Sequence, residues 1–249
     1  MKPGITRRTF LTGALLAPLL PSFDLVAQAE NLNVGFDVGP AQSFSFDGLR
    51  EQARQLAARP YRAPLIRHPE LLERIDFDAH QQIRYRPEDA LWAKGDGPYP
   101  VQLFHLGKLF QAPVRVHLVR DGLAREILYS PRLFAFGNAS FAAALPDDSG
   151  FAGFRVMHSS TQQRDWLAFL GATYFRSSGD LDQYGLSARG IAIDTGLPTP
   201  EEFPSFISFW LEPAPDPKAL LIHALMDGPS ISGAYRFLAS HRERVVMEV

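Results

Sequence analysis

From Val101 onward, apolar side chains recur with a period of two. Val101–Leu106, Val114–Val119, Ala124–Tyr129, Phe154–His158 and Leu167–Phe175 read as strands, followed by Ser187–Asp194, Phe206–Glu212, Leu220–Met226 and Ala234–Leu238. Val114-Arg115-Val116-His117-Leu118 is the cleanest alternation and predicts one buried and one wet face. Asp121-Gly122, set between two such runs, signals a hairpin. No helix-length pattern separates the strands, which argues against βαβ crossovers and for an all-β fold, an antiparallel β-sandwich. Before them, Phe44–Ala58 predicts a short N-terminal helix. Leu49, Ala53 and Leu56 lie on one face, Asp47 can cap it, and Arg59-Pro60 ends it. Pro64–Leu72 reads as loop with one helical turn, His80–Arg86 as a polar strand and Lys94–Pro100 as a turn. Arg244–Val249 reads as a strand in mid-course. An unpaired apolar strand is an aggregation hazard unless its neighbours follow or it docks as the last of its sheet, and the expectation is a fragment.

Phe169–Thr195 departs from this pattern. Two apolar ends enclose a polar segment punctuated by Gly179, Gly185 and Gly190, the kind of loop on which a β-scaffold displays function. Sugars are held by aromatic faces against ring C–H groups and by planar polar groups against hydroxyls. The candidate substrate-binding residues are therefore Tyr174, Arg176, Tyr184, Arg189 and Trp210, with Asp180 and Asp182 beside them. Phe203, Phe206, Phe209 and Trp210 also suit core packing, because Phe206, Ile207, Phe209 and Trp210 occupy both faces of one strand. Arg189 could equally pair with Asp194 or Asp227 to pin neighbouring strands.

Charge and composition narrow the classes. The 249 residues carry a net charge of −2. Lys2, Arg7 and Arg8 against Asp24 make residues 1–29 net +2, so residues 30–249 carry −4. An acidic body argues against nucleic acid as a partner. Thr6-Arg7-Arg8-Thr9-Phe10-Leu11 is a twin-arginine pattern, followed by the apolar run Leu11–Leu20 and by Ala27-Gln28-Ala29. The run is too short to span a bilayer as a permanent helix. Residues 1–29 are therefore expected to be a twin-arginine signal peptide, and the mature chain a periplasmic protein that is not membrane-embedded.

Other chemistries find little support. Gly185-Leu186-Ser187-Ala188-Arg189-Gly190 has the wrong spacing for a nucleophile elbow and runs from loop into strand. With no cysteine and seven scattered histidines, neither a metal nor a cysteine nucleophile is expected. No phosphate-binding glycine loop is present, so no cofactor is expected. Asn138-Ala139-Ser140 matches a glycosylation sequon by coincidence in a chain with such a leader.

The segments YFR…QYGLSARGIAIDT, Gly150–Val156 (GFAGFRV), Glu201–Trp210 (EEFPSFISFW) and Ala224–Phe237 (ALMDGPSISGAYRF) resemble the periplasmic glucans biosynthesis proteins, types G and D. The leader favours the D type. The resemblance implies a galactose-mutarotase-like, carbohydrate-binding sandwich, of which residues 30–249 form the N-terminal part. It implies that the sandwich continues further and is followed by an immunoglobulin-like domain. It also implies a β-1,2-linked glucose polymer as partner and hydrolysis or length control of that polymer by the intact protein, with catalytic carboxylates downstream. No residue here is assigned a catalytic role. A non-catalytic glucan-binding module, or a scaffold for the inner-membrane glucan synthase, is the alternative.

Overall fold

In the computed structural model, residues 35–249 are described, apart from Gln163, Ala172, Asp180 and Asp182. The leader assignment, and the two aspartates named above, lie outside the described residues. The chain runs β1 (Gln42–Ser43), α1 (Phe46–Ala57), α2 (Pro69–Leu72), α3 (Phe77–Gln82), β2 (Arg84–Tyr85) and β3 (Val101–Phe104). It continues through β4 (Arg115–Arg120), β5 (Leu123–Glu126), β6 (Phe134–Ala135), β7 (Gly153–Met157), β8 (Asp165–Leu170) and β9 (Tyr174–Ser178). It then forms β10 (Tyr184–Arg189), β11 (Ser205–Pro213), β12 (Ala219–Asp227), β13 (Gly233–His241) and β14 (Val245–Glu248). The fold is the expected all-β sandwich. A seven-stranded sheet, β1-β5-β4-β11-β12-β13-β14, faces a five-stranded one, β10-β9-β8-β7-β3, and β2 and β6 form a separate ribbon.

One pairing differs from the antiparallel expectation. β4 and β11 run parallel at the centre of the larger sheet, with Phe209 opposite Val116. The crossover between them is made by the strands of the other sheet rather than by a helix, so no helical period could announce it.

Aromatic side chains fill the space between the sheets. Phe154 stacks on Phe169 at 5.1 Å and meets Phe209 edge-on at 5.0 Å, while Phe237 closes on Phe169 at 5.2 Å. A bulge between Phe206 and Ser208 resets the alternation, so Phe206 and Phe209 both face the other sheet. Gly153 is obligatory in this core, since a Cβ there would run into the Phe169 carbonyl oxygen.

The expected N-terminal helix is α1, and its cap is corrected. Ser45 accepts the Gly48 N–H at 3.1 Å, while Asp47 sits in the first turn and pairs with Arg50. Leu49 and Ala53 bury against the seven-stranded sheet as their spacing predicts. The polar strand expected over residues 80–86 is mostly helix. Asp76 accepts the Ala79 N–H and starts α3, leaving only Arg84 and Tyr85 to pair with β6. The run read as one strand over 167–175 is two, β8 and β9, folded back at Gly171, whose φ of 72° suits glycine. The tail of the strand expected over 187–194 is irregular: β10 stops at Arg189, and Asp194 adopts a φ of 58°. Asp121 and Gly122 both have positive φ, as a tight hairpin between β4 and β5 requires.

Candidate functional site

The two sheets share one core but differ on their outer faces. The five-stranded sheet turns its outer face to a cleft of about 920 Å³. Strand registers place one row of residues across that floor: Ser187, Arg176, Ala168, Arg155 and Gln102 lie opposite one another on β10, β9, β8, β7 and β3. Ala168, the smallest of the central three, leaves space between two guanidinium groups. Arg155 donates from Nε and Nη2 to Gln102 Oε1 at 3.1 and 2.6 Å, and its guanidinium lies 5.7 Å from the Phe104 ring. Burial, and then the neighbouring charges of Arg84 and Arg176, lower the Arg155 pKa, opposed by Asp165 and Tyr184.

Arg176 belongs to a second set of contacts. Its Nη2 lies 3.6 Å from Asp165 Oδ2, and its guanidinium covers the Tyr184 ring at 4.6 Å. The Tyr184 hydroxyl donates to Asp165 Oδ1 at 3.1 Å. Burial and the Asp165 charge raise the Tyr184 pKa, so the hydroxyl stays a donor at neutral pH. Asp165 is buried at the start of β8, and an ion pair and a phenol offset part of what its desolvation costs.

The walls come from the segments between α2 and β4. His80 on α3 contacts the His105 carbonyl at 2.9 Å, which ties the helix to the end of β3. His105 donates from Nδ1 to the Leu106 carbonyl and accepts from the Tyr129 hydroxyl at its other nitrogen. Burial lowers its pKa to about 4, so it is a neutral structural imidazole. Phe77, Tyr85 and Phe110 supply aromatic surface around the opening, and Arg84, Arg86 and Lys108 supply charge. Aromatic faces and planar donors converging on one open cleft are equipped to hold a polyhydroxylated chain.

The structure divides the sequence-predicted residues. Tyr174 and Arg176 line the cleft. Tyr184 sits beside them on β10 and holds Asp165 rather than projecting from a loop. Arg189, a candidate for substrate binding or for pairing with Asp194 or Asp227, has its guanidinium over Phe203 at 4.4 Å and Tyr174 at 5.7 Å. Asp227 instead accepts from Ser232, and Glu202 from Ser230. Trp210 takes the packing role that was its other reading. It is buried on the far face of the seven-stranded sheet, stacked on His117 at 4.8 Å and on Phe44 at 5.4 Å beneath α1. Arg155, Arg84, His80 and Asp165 were missed. Arg155 carried the available signal, a charge inside the otherwise apolar run Gly153–Met157.

Among the described residues, no cluster of three or more histidine or carboxylate side chains could hold a metal, and no helix is long and apolar enough to cross a membrane.

Residues 44–249 match the family model described as periplasmic glucan biosynthesis protein, MdoG. The chain is 44% identical over 251 aligned residues to glucans biosynthesis protein D of Xanthomonas campestris pv. campestris, covering 98% of this chain and 46% of that protein. It is 46% identical over 214 residues to glucans biosynthesis protein D of Xylella fastidiosa, covering 85% of this chain and 40% of the relative. The chain therefore spans a little under half the length of these relatives.

Proposed function

The chain belongs to the periplasmic glucan biosynthesis protein family, and from that premise we propose that the cleft on the five-stranded sheet binds the glucose backbone of a β-1,2-linked glucan. Its role in periplasmic glucan biosynthesis, and with it a periplasmic location, follow from the family. The finer reading is supported by one observation above the others: Tyr174 and Arg176, an aromatic face and a planar cation, stand on the floor of an open cleft. Residues on α3, β7, β8 and β9 then supply binding and orientation. In the whole protein the reaction is hydrolysis or trimming of the bound backbone, with export through the twin-arginine route by residues 1–29.

A non-catalytic glucan-binding role for this part of the protein has a specific observation in its favour. Among the described residues, the two carboxylates that line the cleft already have partners: Asp76 caps α3, and Glu88 lies 3.9 Å from Arg86. Neither stands ready as a general acid.

Titration of the purified chain with linear β-1,2-glucan oligosaccharides, with chromatography of the mixture over time, tests both levels. Saturable binding that weakens in Tyr174→Ala supports the cleft assignment. Binding with an unchanged chain-length profile limits this part to recognition. No binding by a folded chain overturns the proposal.

A further inference from the structure

Residues 60–67, between α1 and α2, belong to no helix or strand, are exposed, and among the described residues make no backbone–backbone hydrogen bond. They form a strap held at its two ends. The Arg59 N–H bonds to the Leu56 carbonyl at the close of α1, and Arg67 pairs with Asp148 just before α2. Between these points the strap borders a second cavity of about 580 Å³, beside α1 on the outer face of the seven-stranded sheet. Arg115, Glu126 and Ile207 line it from the sheet, and it shares no lining residue with the glucan cleft. The strap is apolar at its most exposed point. Leu65 is 71% exposed, with Tyr61 and Ile66 exposed beside it and Leu128 exposed on the same cavity. It is also cationic. From Arg59 to Pro69 there are three arginines and no carboxylate, in a body whose residues 30–249 carry −4. Arg59 and Arg62 make no ion pair among the described residues.

A glucose chain gains little from this surface, since the branched aliphatic ends of Leu65 and Ile66 offer no flat face to a sugar ring. An anionic bilayer answers both properties at once. Its headgroups attract the arginines, and aliphatic side chains enter the headgroup boundary beside them. The unpaired backbone limits the contact to that boundary, because hydrocarbon supplies no hydrogen bonds. The family is periplasmic, so a membrane surface is always within reach. We propose that residues 59–67 form an interfacial strap that docks the protein on an anionic phospholipid surface. The carboxylates that share the cavity, Glu126, Asp147, Asp148 and Asp227, weaken the attraction. Asp148 is already paired with Arg67, and Asp227 accepts from Ser232. The contact is therefore weak, reversible and confined to one orientation. The strap leads through α2 to α3, which borders the cleft, so docking holds that wall of the cleft toward the bilayer.

The chain has no cysteine, so a single introduced one can carry a polarity-sensitive dye. Leu65→Cys places the dye on the strap. Glu243→Cys, exposed in the turn after β13, places it at the opposite end of the seven-stranded sheet from Ser205 and Asp227. Both labelled chains are titrated with phosphatidylcholine vesicles, with the same vesicles containing about 30% phosphatidylglycerol, and with inorganic phosphate. The expected result is a blue shift at position 65 with the anionic vesicles alone, fading at high salt, and no shift at position 243. Adding Arg62→Glu, an exposed change clear of the core, should weaken partitioning by about tenfold or more. No response at position 65 of a folded chain overturns the proposal. An equal response at position 243 also overturns it, because another segment then makes the contact. A response that Arg62→Glu leaves unchanged, or that inorganic phosphate reproduces, overturns it as well. None of these positions lines the cleft, so the results bear on the strap and leave the glucan reading to its own test.

Discussion

The outer faces of the two sheets carry similar aromatic and basic residues and put them to opposite uses. On the seven-stranded sheet, Trp210 and His117 stack beneath α1, where Phe44, Leu49 and Ala53 exclude water from them. On the five-stranded sheet, Tyr174, Arg155 and Arg176 stand in an open cleft whose walls approach without covering the floor. The difference lies in what crosses each sheet. A twelve-residue helix presents a continuous apolar stripe to the first, whereas a six-residue helix and short turns only border the second. An aromatic on a strand is therefore assigned to core or cleft by the element packed over it, not by its own chemistry.

The covered face should give the largest stability effect. Trp210→Ala leaves a cavity under α1 and should cost about 3–5 kcal/mol in chemical denaturation. His105, behind the cleft wall, comes next. The unfolded chain takes up a proton near pH 6.5 that the folded imidazole refuses until about pH 4. Stability should be full above pH 6.5 and fall as pH drops toward 4, by at most about 3 kcal/mol from this residue. Denaturation profiles across that range should flatten in His105→Gln. Tyr184→Phe removes a donor to Asp165 and should cost about 1 kcal/mol in the same assay, with a loss of glucan affinity if the Asp165–Arg176 pair loosens. Ser45→Ala removes the α1 cap and should also cost about 1 kcal/mol or less, with no change at the cleft.

Much of the sandwich was legible in the chain because its strands are regular where they are buried. The period of two in Val114–Val119 reports one sheet face, and Asp121-Gly122 reports a hairpin that only positive φ can close. What escaped has physical causes. The turn between β8 and β9 is flanked by runs apolar enough to read as one strand, with Gly171 its only local mark. α3 starts from a side-chain cap at Asp76, and its sequence has no apolar stripe to betray a helical period. At the site, Tyr174 and Arg176 were found because they crowd a polar segment close in sequence. Arg155 and Arg84 reach the same cleft from distant strands, a relation set by register and not by local spacing. Trp210 entered the candidate set as an aromatic near the polar segment, with core packing as its other reading; the helix over residues 44–58 was expected, but its packing against this strand is a tertiary relation that no local spacing reports.

The central claim is that recognition resides on the five-stranded sheet and not on the aromatic stack beneath α1. Calorimetric titration of a β-1,2-linked glucose oligosaccharide into Arg176→Ala and Trp210→Phe tests it most directly, with folding of both variants checked by circular dichroism. The account predicts that Arg176→Ala binds about tenfold more weakly, the cost of losing one charged contact. It predicts that Trp210→Phe binds as the unsubstituted chain does. Undiminished binding by Arg176→Ala, together with lost binding by a folded Trp210→Phe, would contradict it.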